Sequence, residues 1–164
     1  MYIWEDETHM FFRTGDWASG GHLILKNKKD DLIVYMVKFV VRDKKLLRGK
    51  TVTQVAVWRN LDDPVTKGFA AEVFWNQLLP RYGAVVSDGK QTERGGDFWL
   101  EQLVQALTKG YHVAFVDFNR HIMIEYEGTE TGKTFRDWVN ERDNWGVHPK
   151  YRGRRFMIFR EEGP

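Results

Sequence analysis

The chain has 164 residues, of which 42% are hydrophobic and 15% aromatic, so it can bury a core of single-domain size without disulfides. It contains no cysteine, which excludes disulfides, thiol catalysis and cysteine-ligated zinc. The formal net charge of +2 is too small for strong electrostatic steering by the whole molecule.

The sequence indicates neither membrane insertion nor secretion. No stretch reaches the ~18 uninterrupted apolar residues of a membrane-spanning helix. The first ten residues, MYIWEDETHM, lack the basic and apolar regions of a secretory signal. The five histidines show no metal-ligand spacing. We therefore expect one cytoplasmic domain over residues 1–164, with no metal.

Three strands with short connections are predicted in the first part of the chain, at 22–27, 32–41 and 51–59. The chain ends and the Gly-Ser stretch at 18–21 are expected to be loose. Successive side chains of a strand point to opposite faces, which predicts two faces for the third strand. One face would carry Val52, Ala56 and Trp58, and the other Val55 and Val57.

A helix is predicted at about 68–80, after the polar loop 60–67. Apolar side chains recur there at helical spacing, as in Ala71, Phe74 and Leu78. Pro80 is expected to disrupt the last turn.

The remaining chain predicts a strand at 84–87, a helix at 96–109, strands at 111–118 and 121–127, a short helix at 134–144 and a strand at 155–160. This order predicts an α/β fold, with a mixed, largely antiparallel central sheet flanked by helices.

The turn that opens the first helix carries the clearest chemical signal. The residues Lys67-Gly68-Phe69-Ala70-Ala71 combine small side chains with one cation. A helix N-terminus presents unpaired backbone N–H groups, and small side chains let an anion approach them. The same pattern is also a common helix start, so a phosphate site and a purely structural turn both remain open.

The order strand, loop, KGFA, helix, strand, helix resembles the core of the GNAT superfamily of acyl-CoA-dependent N-acetyltransferases. In that family a turn of the form R-G-x-G/A follows the fourth strand, and its backbone N–H groups bind the coenzyme A pyrophosphate. Lys67, Gly68, Phe69 and Ala70 are the matching residues. The stretch VVSDGKQTERGGDFWLEQL, at 85–103, resembles GNAT-like proteins of tailed bacteriophages, and the late YRGRRFMIF fits them too.

The resemblance implies an acetyl-CoA-dependent transfer of an acetyl-type group to an amine. It implies that the backbone near Val55 and Val57 orients the pantetheine, and that the amides from Gly68 to Ala71 bind the pyrophosphate. Trp99 occupies the place of the tyrosine that many members use as a general acid, and an indole cannot fill that role. The helices that usually follow the family's first strand are reduced or absent here.

Four residues are candidates for catalysis. Asp62 and Asp63 follow the strand 51–59 and could accept a proton through a water, or they could form a solvated turn. Ser87 and Asp88 end a predicted strand, where ligands often bind in open α/β sheets, or they could serve turn formation and helix capping. Gln91 and Thr92, in the following loop, could form hydrogen bonds to substrate or simply order that loop.

Two other functions remain open. The missing tyrosine and the shortened N-terminus also fit a catalytically inactive GNAT-like scaffold that binds and modulates a host protein. A nucleic-acid binder or modifier is the third hypothesis, because two stretches are rich in basic residues. They comprise Arg42, Lys44, Lys45, Arg48 and Lys50, and then Lys150, Arg152, Arg154, Arg155 and Arg160. The acceptor could accordingly be a host protein, a tRNA or a DNA base, in the host cytoplasm if the protein is phage-encoded.

Overall fold

A single nine-stranded sheet organises the residues that the computed structural model describes, which are 1–44, 49–89, 93–128, 134–142 and 148–160. The strands are β1 (Tyr2–Glu5), β2 (His9–Asp16), β3 (Gly20–Asn27), β4 (Ile33–Lys44), β5 (Gly49–Arg59), β6 (Ala84–Val86), β7 (His112–Asp117), β8 (Ile122–Glu125) and β9 (Arg154–Phe159). They lie in the order β1-β2-β3-β4-β5-β6-β9-β7-β8.

Strand direction confirms the predicted fold class. β5 and β6 are parallel, because a helical crossover joins them. The other paired strands among the described residues are antiparallel. The protein is therefore α/β, with a mixed and largely antiparallel sheet.

The N-terminal residues form two strands, contrary to the expected loose end. β2 pairs with β3 along its whole length, from His9 opposite Asn27 to Asp16 opposite Gly20. The segment HMFFRTGD does not alternate strictly, so its own sequence gave a weak strand signal. Pairing with β3 and burial of Phe11 supply the stability that local propensity does not.

A β-bulge at Val55 overturns the predicted faces of β5. The pairing of β5 with β4 skips this residue, so that Gln54 lies opposite Phe39 and Ala56 opposite Lys38. Directly opposed residues share a face, and an inserted residue reverses the alternation beyond it. Val57 therefore lies on the face of Val52, opposite to the face of Trp58.

The helix after β5 extends past its expected end. It comprises α1 (Phe69–Val73), a π-helical turn (Phe74–Leu78) and α2 (Leu79–Tyr82), which together we call the first helical segment. The N–H of Leu79 donates to the carbonyl of Phe74, five residues earlier. This wider turn precedes Pro80, whose ring would clash with the carbonyl four residues earlier in a regular helix. The wider π-helical turn therefore allows the helix to continue to Tyr82.

The helices share one hydrophobic core with the sheet. The first helical segment, α3 (Glu93–Thr108) and α4 (Phe135–Asn140) contribute Phe74, Leu103 and Trp138 to a cluster that includes Val37 and Val113 of the sheet. Both later helices agree with the predictions apart from their ends. No helix among the described residues is both long and apolar enough to cross a bilayer.

Candidate functional site

A cleft opens where β5 and β6 separate. Among the described residues the two strands pair at Val52 with Val85 and at Thr53 with Val86, and β5 then continues to Arg59. The cleft has a volume of about 690 Å³ and lies between the second half of β5, the start of the first helical segment and one face of α3. Its apolar lining residues include Val55, Val57, Trp58, Leu61, Ala70, Ala71 and Phe98.

The small-residue turn lies at this cleft. Gly68 caps α1 with a left-handed φ of 72°, and a Cβ built on it would meet no atom within 4 Å. The N–H of Glu72 donates to the carbonyl of Gly68 at 3.1 Å. The amides of Phe69, Ala70 and Ala71 come before this bond, so their acceptors must come from outside the helix. Lys67 is exposed beside them, and Gly68, Ala70 and Ala71 line the cleft.

Phe69 contributes its backbone to this turn and its side chain to the core. The ring is 3% exposed and makes edge contacts with Tyr35 at 4.9 Å and Phe11 at 5.1 Å between centroids. It also contacts Trp4 at 6.3 Å. Phe69 can therefore contact a cofactor only through its backbone amide. Its ring attaches the turn to the sheet.

The opposite wall comes from α3. Arg94, Phe98 and Glu101 line the cleft, as expected for residues three and four apart on one helical face. Trp99 also lines it but is only 3% exposed, and its ring packs edge-on against Phe74 at 5.5 Å. Any contact of Trp99 with a ligand is therefore confined to a small part of the ring.

Charged groups of both signs line the cleft. Among the described side chains, the cations are Arg59 and Arg94, and the carboxylates are Asp88 and Glu101. Asp88 accepts a hydrogen bond from the N–H of Gly89 at 2.7 Å. Sequence analysis predicted Asp88 as a site residue but not Arg59, Arg94 or Glu101. The helical spacing of Arg94 and Glu101 could have indicated that they share one face of the helix.

The structure does not bring Asp62 or Asp63 into the lining of this cleft. Asp62 is exposed in the loop after β5. Asp63 borders a separate depression of about 580 Å³, and its Oδ2 lies 3.1 Å from Nε2 of the buried His9. Its Oδ1 accepts a hydrogen bond from the N–H of Val65 at 3.1 Å. Asp63 thus links the loop to β2.

The surroundings of Asp63 predict an acid-sensitive contribution to stability. Partial burial raises the pKa of this carboxyl, but hydrogen bonds from His9 and Val65 outweigh it and hold the pKa below the ordinary value. A depressed pKa stabilises the fold above the unfolded-state value, near ~3.9, and that contribution is lost as pH falls through the folded value.

Asp63→Asn should therefore be less stable than the natural chain at pH 6, and the difference should shrink below about pH 4. Urea denaturation at several pH values measures both quantities. The linkage is refuted by a difference that is constant down to about pH 2.

Ser87 occupies a structural position. It is fully buried, its Oγ accepts from the N–H of Phe156 at 3.0 Å, and its own N–H donates to the Phe156 carbonyl at 2.8 Å. These bonds extend the contact between β6 and β9. The candidates Gln91 and Thr92 lie outside the described residues.

The basic stretches do not form one uniform surface among the described side chains. Arg155 is half-buried, with its guanidinium 5.2 Å from the centre of the Phe118 ring and donating to the carbonyls of Ser87 and Arg152. Arg152 is exposed. In the first stretch, Lys45 and Arg48 lie outside the described residues.

Comparison with known proteins found no match to a protein-family model, to a curated protein or to a solved structure.

Proposed function

We propose that the protein is a GNAT-like N-acyltransferase that binds acyl-CoA in the cleft between β5 and β6. One observation carries the proposal: a small-residue helix start borders the same cleft as the second half of β5, which pairs with β4 on one side and with no described strand on the other. The order β5, loop, first helical segment, β6, α3 is also the order on which the sequence resemblance depends.

Three parts of an acyl-CoA molecule, the diphosphate, the pantetheine arm and the acyl group, can be matched to surfaces of the cleft. The amides of Phe69, Ala70 and Ala71, with Lys67 nearby, suit a diphosphate, because helix N-termini favour negative charge. On the cleft side, the edge of β5 from Gln54 to Arg59 pairs with no strand of the described part of the chain, so it can hydrogen-bond the two amide groups of a pantetheine arm. The acyl group would then lie where β5 and β6 separate.

The transfer itself needs few groups from the protein. The amine nitrogen forms a bond to the thioester carbon, the carbon–sulfur bond breaks, and the sulfur leaves as a thiolate. Positioning and amide donors supply much of the rate in such reactions. Asp88 and Glu101 are the carboxylates of the cleft that can accept the proton of the amine, whereas Asp62 and Asp63 lie outside its lining. The acceptor is an amine of a host protein, a tRNA or a DNA base.

A non-catalytic scaffold is the second candidate. Trp99 offers no acid at the position of the usual tyrosine, and Ser87 is buried in the sheet with its Oγ accepting a hydrogen bond from the Phe156 N–H. A scaffold would bind the carrier, or only a partner protein, without releasing free CoA. Measuring thiol release from acetyl-CoA with polyamine and lysine-peptide acceptors separates the two: release that depends on acceptor supports transfer.

Acetyl-CoA should stabilise the fold if the cleft binds it. A ligand at a hundred times its Kd adds about 2.7 kcal/mol to the free energy of unfolding. For a chain of this size, that corresponds to a rise of roughly 5–10 °C in Tm. Differential scanning fluorimetry measures the rise, with adenosine as a control that lacks the diphosphate. An unchanged Tm at millimolar acetyl-CoA would reject the acyltransferase proposal.

A further inference from the structure

Gln54 lies at the closed end of the cleft. It is the first residue of β5 beyond the two pairs with β6, and it lines the cleft beside the bulged Val55. Opposite it on β4 is Phe39, which is fully buried in the core on the same face. The side chain of Gln54 is therefore directed to the helix-covered side of the sheet, at the point where the two strands part.

The side-chain amide of Gln54 is buried without a partner. The residue is 5% exposed, and its Nε2 makes no hydrogen bond within the described part of the chain. Buried amide donors are paired in almost all native structures, because leaving one unpaired is unfavourable. Gln102 provides the contrast: it is also buried beside the same cleft, and its Oε1 accepts a hydrogen bond from Trp75 at 2.7 Å.

We propose that Nε2 of Gln54 donates a hydrogen bond to the carbonyl oxygen of the bound acyl group. The proposal rests on acyl-CoA binding in the cleft and adds a specificity-determining residue to it. Because of this hydrogen bond, the cleft should bind a CoA thioester more tightly than a CoA thioether.

The same hydrogen bond would assist transfer. When the amine attacks, the π electrons of the carbonyl move onto its oxygen, and a fixed donor stabilises the resulting negative charge. The carbonyl re-forms as the thiolate leaves, and Gln54 keeps both of its protons throughout. Gln54 is thus a binding residue for the ground state and a charge-stabilising residue for the transition state.

The test compares two ligands that differ by one oxygen atom. Acetyl-CoA carries the carbonyl, and S-ethyl-CoA replaces it with a methylene. Isothermal titration calorimetry of the natural chain should give a Kd about 3–10-fold lower for acetyl-CoA, as expected for one hydrogen bond between uncharged groups. In Gln54→Leu the preference should fall to about 1, with the Kd for S-ethyl-CoA little changed. Gln102→Leu is the comparison variant and should keep the preference.

The outcomes separate the two proposals. If both ligands bind and Gln54→Leu keeps the preference, the role of Gln54 is refuted while acyl-CoA binding stands. If neither ligand binds the natural chain, both proposals fall.

A second test uses NMR spectra of the natural chain and does not depend on a variant. The side-chain amide signals of Gln54 in the NMR spectrum of the natural chain should shift with acetyl-CoA and much less with S-ethyl-CoA. Equal shifts with the two ligands would contradict the hydrogen bond, even if Gln54→Leu failed to fold.

Discussion

Gly68→Glu should abolish the stabilisation of the protein by acetyl-CoA. The new side chain would fill the open space beside Gly68 and place a carboxylate against the bound diphosphate. Two like charges about 4 Å apart repel by roughly 4 kcal/mol at an effective dielectric constant of 20. We therefore expect the affinity to fall by at least about 100-fold, measured as loss of the ligand-induced rise in Tm.

The matched control is Gly110→Glu. Gly110 has a similar left-handed φ, 80° against 72°, and its Cβ position is equally open, but it does not line the cleft. Both variants introduce the same charge and the same backbone strain, about 1–2 kcal/mol. Gly110→Glu should keep the full response to acetyl-CoA. Equal loss in the two variants would show that strain or net charge, and not the turn, controls binding.

Phe69→Ala should lower the free energy of unfolding by about 3–5 kcal/mol, which is typical of truncating a buried aromatic ring. The ring of Phe69 is 3% exposed and contacts aromatic side chains on three strands, among them Phe11 and Tyr35. Its loss would also release the turn that carries the proposed anion-binding amides. Urea denaturation measures the change, read from the midpoint at constant m-value.

Phe69→Leu is the milder companion and should cost less, because it retains part of the buried volume. Its affinity for acetyl-CoA should remain close to that of the natural chain, since only the backbone of this residue faces the ligand. A loss below about 1 kcal/mol in Phe69→Ala would show that the ring is not an anchor.

Local patterns predicted the elements that have strong local causes. The helical spacing of Ala71, Phe74 and Leu78 identified the first helical segment, and Gly83 marked its end with a left-handed φ of 74°. The strand β2 was missed because its stability comes from pairing with β3. The bulge at Val55 was missed because nothing in the composition of TVTQVAVWR marks which residue is unpaired.

The candidate site was predicted in part for the same reason. Gly68 and Ala70 could be recognised as a turn, because small side chains at a helix start have a local physical meaning. The direction of the preceding loop could not be predicted. This loop places Asp63 beside His9 and outside the cleft. Gln54 was missed because its importance arises from the separation of β5 and β6. That separation depends on contacts between distant parts of the chain.

The most direct test of the account is an NMR titration of the ¹⁵N-labelled protein with CoA. The backbone amide signals of Phe69, Ala70 and Ala71 should shift progressively and saturate with a single Kd. The same signals in Gly110→Glu should behave alike, and those in Gly68→Glu should stay in place. The proposed acyl-CoA site would be contradicted if the signals of these three amides did not shift at millimolar CoA. Saturable shifts confined to another part of the protein would contradict it as well.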